Sequence, residues 1–385
     1  MFENLSHFAL QQYWWIIISF LGSLLVFLLF VQGGQTLIYR LGRTEQERTM
    51  IVNALGRKWE FTFTTLVTFG GSFFASFPLF YAASFGGAYW VWMIILIAFV
   101  IQAVAFEFRT KPNNFLGQKT FETFLFVNGM VGTIFLGTAV ATFFTGSPFF
   151  VSEMNFSQWK SPFHGLELAF DFGRYSTYIN LSLGLAVFFL ARLLGTLFLL
   201  NNIDDAIINK RGLHVMIKNA LPFLFFFLFF LVNILVRKGF AYDPATGTVY
   251  LEPFKYLKNL VQMPVVLVIF LAGLVLVLTS LYKTWKSFDT FHSKAIWLAG
   301  PGTVLVVFAL FLTAGFNNTS FYPSTYDLQS SLTIENASSS KYTLTAMSYV
   351  SLMMPFVFAY IWYAWRAISR KKIDKEEMEE EEHKY

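Results

Sequence analysis

The side chains able to do chemistry are few, and most stand near the ends of apolar stretches. Trp59-Glu60 opens one stretch, and Glu107 and Arg109 close the next in Ala105-Phe106-Glu107-Phe108-Arg109. Arg192 lies deep inside another, in Phe189-Leu190-Ala191-Arg192. A carboxylate such as Glu60 can take and pass a proton; at a helix start it can also serve only as an acid favoured by the helix dipole. Glu107 and Arg109 are two residues apart and share no helix face, so each is expected to find another partner. Charge inside a bilayer costs about 2.5–3.5 kcal/mol per residue on insertion scales. Arg192 must therefore point into protein, towards water, or towards the anionic head of a lipid or cofactor. Gln32 and Gln35, with Gly33-Gly34 between them, predict helix–helix hydrogen bonding or a close backbone approach. Asp204-Asp205 are expected to be solvated.

Conventional redox and metal chemistry has little to work with. There is no cysteine, which removes disulfides, thiolate metal sites, iron–sulfur clusters and cysteine nucleophiles. His7, His164, His214, His292 and His383 all fall in predicted loops or tails, so no predicted span offers an axial imidazole to haem or a ligand to zinc or non-haem iron. Met93, Met130, Met263, Met347, Met353 and Met354 lie in spans, where methionine packs far more often than it ligates. No phosphate-binding glycine loop, dinucleotide fingerprint or Ser-His-Asp arrangement stands in a credible context.

The elements that hold these residues are membrane helices. Of 385 residues, 56 % are hydrophobic and 13 % charged, half the usual charged share of a soluble domain; mean hydropathy is +0.54. Disorder is excluded by the same numbers. Nine stretches are long enough to span a bilayer: 12–38, 60–84, 87–108, 121–146, 176–200, 217–236, 260–282, 295–316 and 343–366. Runs such as Leu221–Val236 do not alternate, which argues against a β-barrel. The fold class is therefore all-α, a polytopic bundle of about nine helices. Two four-helix bundles plus a peripheral ninth helix is one arrangement that fits. The first stretch is too long for a signal peptide and reads as an uncleaved helix anchored at the interface by Tyr13, Trp14 and Trp15.

Twenty lysines and arginines fall on one predicted side, in the segments around 40–58, 109–119, 210–218, 283–294 and 366–384. Seven fall on the other: Lys160, Arg174, Arg237, Lys238, Lys255, Lys258 and Lys341. By the positive-inside rule the N-terminus is outside and the C-terminus cytoplasmic. The basic residues form no single dense patch, so nucleic acid is not an expected partner. Residues 1–372 form one transmembrane domain, and 373–385, with Glu376, Glu377 and Glu379–Glu382, a solvated charged tail. Asn336-Ala337-Ser338 fits a glycosylation sequon, read as coincidence in a chain of bacterial character.

Several segments resemble subunit II of the cytochrome bd ubiquinol oxidases. The longest runs through Asn53-Ala54, Trp59-Glu60 and Gly70-Gly71-Ser72-Phe73-Phe74-Ala75-Ser76-Phe77-Pro78-Leu79-Phe80-Tyr81-Ala82-Ala83-Ser84-Phe85-Gly86-Gly87-Ala88-Tyr89. Phe106-Glu107-Phe108-Arg109, Gly137-Thr138-Ala139, Gly146-Ser147-Pro148-Phe149, Leu312-Thr313-Ala314-Gly315, Pro323-Ser324 and Leu332-Thr333-Ile334 follow in family order. The resemblance implies quinol oxidation coupled to reduction of dioxygen to water, with protons drawn from the inside. It also implies a heterodimer in which subunit I ligates two b-type haems and haem d, while this chain ligates none. A bound quinone, a small accessory subunit, membrane lipids and quinol complete the expected partners. Glu60 becomes a proton-delivery residue packed by Trp59, and Glu107 a second, supporting acid. Two departures stand out: Gln32-Gly33-Gly34-Gln35 occupies the place of a family D-G-x-D, and Phe61-Thr62-Phe63-Thr64-Thr65 replaces a Gly-Asn and a second tryptophan. Amides cannot titrate, so the proton route, and any oxygen route near that tryptophan, would differ in detail or be closed. The alternatives are a secondary transporter, for which Gly70-Gly71, Gly132, Gly137 and Pro264 are candidate helix breaks, and a scaffold with no part in proton movement.

Overall fold

The computed structural model describes residues 2–112, 114–286, 294–369 and 371–374. Its first helix starts where the Ser6 hydroxyl accepts the Ala9 amide at 3.1 Å. It runs as α1 (His7–Leu28) and, after a break at Leu29, as α2 (Phe30–Gln35). The short α3 (Ile38–Leu41) leads to α4 (Glu45–Gly56), whose start is a capping box of Thr44 and Glu47. There follow α5 (Trp59–Ser76), α6 (Pro78–Phe80) continuing into a π-helical turn Tyr81–Gly86, α7 (Tyr89–Phe108) and α8 (Gln118–Thr145). The second half holds α9 (Glu167–Phe170), α10 (Tyr175–Asn202), α11 (Ala206–Val236), α12 (Lys255–Gln262), α13 (Pro264–Lys286), α14 (Ile296–Gly315), α15 (Lys341–Ser351) and α16 (Met354–Ile368). Among the described residues, eight helices are long and apolar enough to cross a membrane, and nine if the bent second one is counted as a span.

Several boundaries differ from expectation for local reasons. The stretch 60–84 is not one straight helix. Pro78 has no N–H and excludes Phe77 from helical geometry, so α5 and the following turn meet at 115°. Helix α11 begins eleven residues before the expected 217, because the Asp205 carboxylate caps it, accepting the Ile207 and Ile208 amides at 2.9 Å. Asp205 is consequently buried rather than solvated, while Asp204 is exposed. His214 thereby lies inside α11, and His7 is the first residue of α1. Of the expected breakers, Gly70-Gly71 lie within unbroken α5 and Gly132 and Gly137 within unbroken α8, whereas Pro264 does start a helix.

Packing follows two groups. Helices α7, α8, α10 and α11 pack in sequence; α1 packs on α5 and α14, and α14 on α13. The α2 segment joins the groups by crossing α8 and α10. The crossing needs glycine: a Cβ on Gly33 would overlap the carbonyl of Ala191, and one on Gly195 would overlap the backbone of Gly34. Between the groups lies an apolar cavity of about 200 Å³, lined among others by Leu25, Leu136, Leu190, Phe227, Val306 and Leu310.

Tyr13, Trp14 and Trp15 are not an interfacial belt. Trp15 is fully buried, with its indole N–H donating to the Phe311 carbonyl at 3.2 Å. Trp14 donates to Ser348 Oγ at 3.0 Å, and the Tyr13 and Ser351 hydroxyls share a hydrogen bond of 2.7 Å. A few residues earlier, Gln11 donates to the Glu335 carbonyl at 3.1 Å, and the His7 ring meets that of Ser339 at 3.0 Å.

The two ends of the bundle are unlike. One is a small cap of antiparallel hairpins: β1 (Phe149–Val151) with β2 (Ser157–Trp159), and β3 (Lys238–Tyr242) with β4 (Val249–Pro253). Bridges between Ser147 and Ser324 and between Ala241 and Thr319 stitch them to the 316–340 segment. Ser324 is buried there; its hydroxyl donates to the Phe149 carbonyl and accepts from the Tyr326 and Asp327 amides. Asn336 spends its side-chain amide within the cap, on the Thr333 amide and the Ser331 carbonyl. The other end gathers the arginine-rich segments. Ile373 is part of it, bridged to Ile203 and donating its amide to the Asn202 carbonyl at 2.8 Å, so the folded part runs slightly past residue 372. Residues 375–385, with the tail glutamates and His383, and also His292 and Arg370, lie outside the described residues.

Candidate functional site

The polar side chains at the basic end form a buried cluster. Glu122 stands one turn into α8 and is fully buried. Its Oε1 accepts from Arg109 Nη2 at 2.8 Å and Nε at 3.2 Å, and its Oε2 lies 3.0 Å from Arg48 Nε. Arg109 Nη2 also reaches Thr49 Oγ1 at 3.1 Å. Three helices, α4, α7 and α8, are thus fastened around one carboxylate. Beside it, Glu47 Oε2 accepts from Arg211 Nη1 at 2.7 Å, which ties α4 to α11.

Deeper in the bundle lie four buried amides, Gln32 and Gln35 on α2, Gln102 on α7 and Asn128 on α8. Gln32 Nε2 donates to Gln102 Oε1 at 3.1 Å. Gln35 lies one turn further along α2, and Asn128 precedes Gly129, against whose Cα the Gln32 carbonyl packs. Gln32 Oε1, Gln102 Nε2 and both polar atoms of Gln35 and Asn128 are buried with no protein partner. Polar atoms so placed require hydrogen bonds, and small polar guests such as water can supply them. Gln32 makes the expected helix–helix hydrogen bond and Gly33 the close backbone approach, whereas Gln35 makes no side-chain hydrogen bond.

The other expected site residues are spread around this cluster. Glu60 is exposed in the first turn of α5, in a surface pocket of about 350 Å³ lined by Gly56, Arg57, Phe61 and Ile368. The Trp59 ring stacks on Phe106 at 5.9 Å and 17°, leaving its indole N–H without a partner. That stacking brings the α5 start beside the α7 end, where Glu107 is exposed and pairs with Lys111 at 3.0 Å. Glu107 and Arg109 thus do have separate partners. Arg192 is half-buried; its Nε donates to Asn219 Oδ1 at 2.8 Å and its Nη1 to Thr36 Oγ1 at 2.9 Å. Lys58 is buried with its ammonium 4.4 Å from the Trp365 ring centre.

Sequence reasoning passed over Glu122, Arg48 and Lys58. Glu122 carried a usable signal, an acid inside the edge of a long apolar run, which demands a cationic partner. Among the described residues no group of three or more histidines, aspartates and glutamates could hold a metal. His164 and His214 set their Nδ1 on the carbonyls of Gly87 and Lys210, and no histidine lines the central cavity. The described residues do not fit haem ligation.

A bundle of this kind, with eight or nine helices among the described residues long and apolar enough to span a bilayer and a buried ion cluster at one end, defines an integral membrane protein. The chain belongs to the cytochrome bd terminal oxidase subunit II family, whose model matches residues 10–368. It is 26 % identical over 389 residues to cytochrome bd-I ubiquinol oxidase subunit 2 of Escherichia coli K12, spanning 97 % of this chain and 98 % of that protein. It is 32 % identical over 141 residues to cytochrome bd ubiquinol oxidase subunit 2 of Bacillus subtilis, covering 36 % of this chain and 42 % of that one. In fold it resembles a chain of the bd oxidase from Geobacillus thermodenitrificans, with a TM-score of 0.61 over 92 % of this chain and 98 % of that chain at 10 % identity. This is a quinol oxidase complex member of the bd type, and none of these relatives is a transporter.

Proposed function

We propose that this chain is the haem-free second subunit of a quinol:dioxygen oxidoreductase, inactive alone and completed by a haem-bearing subunit I that supplies the two b-type haems and haem d. The chain-long family match carries this reading. The basic end faces the cytoplasm in this proposal, with the N-terminus outside, in accord with the positive-inside rule. An optical difference spectrum of the complex purified through this chain tests it. A haem d band is expected, and a complex without one, or a haem spectrum from the isolated chain, overturns it.

Within that reading, Glu60 is the proton-handling group of this chain. It is a carboxylate open to solvent at the basic end, and the neighbouring Trp59 stacks on Phe106, the residue before Glu107. Subunit I would cover this pocket on assembly and turn an exposed acid into an enclosed relay, able to take a proton from cytoplasmic water and pass it on. The amides Gln32, Gln35, Gln102 and Asn128 cannot carry charge, so in this chain they serve to hold water. The central apolar cavity offers room for the isoprenoid tail of a bound quinone. Lipid, subunit I and any small accessory subunit share the exposed apolar faces, among them that of α16, where Phe356, Tyr360 and Trp362 are exposed.

A further inference from the structure

A concavity of about 510 Å³ opens at the basic end between α3, α10 and α11. Arg40, Arg43, Arg192, Lys210, Arg211 and Lys218 line it, and no acid does. Arg211 is matched by Glu47. Among the described residues the other five cations make no ion pair. Arg192, at the floor, is oriented by neutral acceptors alone: Asn219, itself fixed by a 2.6 Å hydrogen bond to the Val215 carbonyl, and Thr36. Arg40 lines the same hollow. Like charges collected in one partly dry hollow repel, and a bound anion relieves them. Guanidinium forks beside ammonium groups suit phosphate oxygens in particular.

The wall beyond the pocket indicates the source of that phosphate. From Lys218 at the rim, the outward face of α11 continues through Leu221, Phe225, Leu228 and Val232, all exposed. These positions follow at three- and four-residue steps, so the stripe is continuous with the lysine. A cationic hollow at the end of a lipid-facing apolar stripe matches a molecule with a phosphate head and acyl chains. We propose that this pocket binds the headgroup of an anionic phospholipid, with Arg192 and Lys218 on a phosphate and the acyl chains along α11. Five unmatched cations favour a lipid with two phosphates, of the diphosphatidylglycerol class, over one with a single phosphate.

The inference does not depend on the oxidase reading, because its test measures binding and not turnover. The protein, extracted with its natural companions and stripped of lipid in detergent, is titrated with cardiolipin, phosphatidylglycerol, phosphatidylcholine and inorganic pyrophosphate, and occupancy is read by native mass spectrometry. Cardiolipin is expected to bind most tightly, phosphatidylglycerol next, and phosphatidylcholine at least about tenfold more weakly. Arg40→Gln combined with Lys218→Gln should weaken cardiolipin by about 25-fold, at roughly fivefold per cation. Arg43→Gln with Lys210→Gln provides a second surface pair should the first fail to assemble. Equal binding of phosphatidylcholine, or unchanged cardiolipin binding in both double variants, overturns the site. Pyrophosphate binding as tightly as cardiolipin would overturn the lipid assignment and make the ligand a soluble phosphate.

Discussion

Arg109 and Glu122 are thirteen residues apart in sequence and 2.8 Å apart in space, both without solvent exposure. They close the connection between the third and fourth spanning helices from inside. The same carboxylate takes Arg48 on its second oxygen, so it holds the amphipathic α4 against the bundle as well. Thr49 satisfies part of the remaining donor capacity of Arg109. Breaking a buried pair leaves an uncompensated charge, which costs much more than the pair contributes.

Glu122→Gln should therefore destabilise the folded chain by about 3–5 kcal/mol, and Arg109→Met by a similar amount. Glu122→Asp, which keeps the charge, should recover part of the loss. Thermal unfolding of the detergent-extracted protein measures all three. If the glutamine variant melts with the parent, the ion cluster is not what fastens these helices.

Gly33→Ala should prevent the α2–α10 crossing, because its methyl group would occupy the space of the Ala191 carbonyl. A backbone atom cannot step aside as a flexible side chain can, so loss of folded protein in the membrane is the expected result. Gly71→Ala is the control: nothing lies within 4 Å of its new methyl, and its yield should match the parent. Equal yields of the two variants would contradict the crossing.

Glu60→Gln should lower oxygen consumption by the assembled oxidase about 100-fold, the lower end of the usual range for a lost acid–base group. Haem content should be unchanged, because the side chain packs against nothing it would disturb. Normal turnover with normal haem would assign the chain a scaffolding role and no part in proton delivery.

At the capped end, the Lys258 ammonium donates to Glu252 at 2.6 Å and holds this carboxyl below its usual 4.5. A depressed carboxyl contributes its stability above the unfolded value and loses it as pH falls through the folded one. The β3–β4 hairpin should accordingly become more susceptible to protease as pH drops below about 4.5. Glu252→Gln should already be weakened at neutral pH and respond less to acid over that window. An acid response of equal size in the variant would assign the effect to another group.

Much of this architecture could be read from residue order, for identifiable reasons. Apolar run length marks a membrane helix strongly, so the spans near 87–108 and 295–316 were legible almost to the residue. The segregation of lysine and arginine foretold which segments would meet at one end. Local rules were less visible where two signals competed. Pro78 sits in an apolar run whose hydropathy conceals a sharp bend, and Asp205 looks like a surface acid until the amides of Ile207 and Ile208 are seen to need an acceptor. Trp14 and Trp15 have the composition of an interfacial anchor, yet α14 and α15 cover them; only tertiary contacts decide between those roles. Of the site, Gln32, Gln35, Arg109 and Arg192 were singled out because polarity in a span demands a reason. Glu122 was missed because it stood at the edge of a stretch defined by its apolar residues.

The opening helix has a further consequence for biogenesis. His7, Gln11, Trp14 and Trp15 precede their partners Ser339, Glu335, Ser348 and Phe311 by 296 to 334 residues. Contacts so distant along the chain form late. During synthesis the amino-terminal segment must wait in the bilayer, its indoles unsatisfied, while some three hundred further residues are threaded past it. Helix α1 is thus made well before α14 and α15, and is locked only when they arrive.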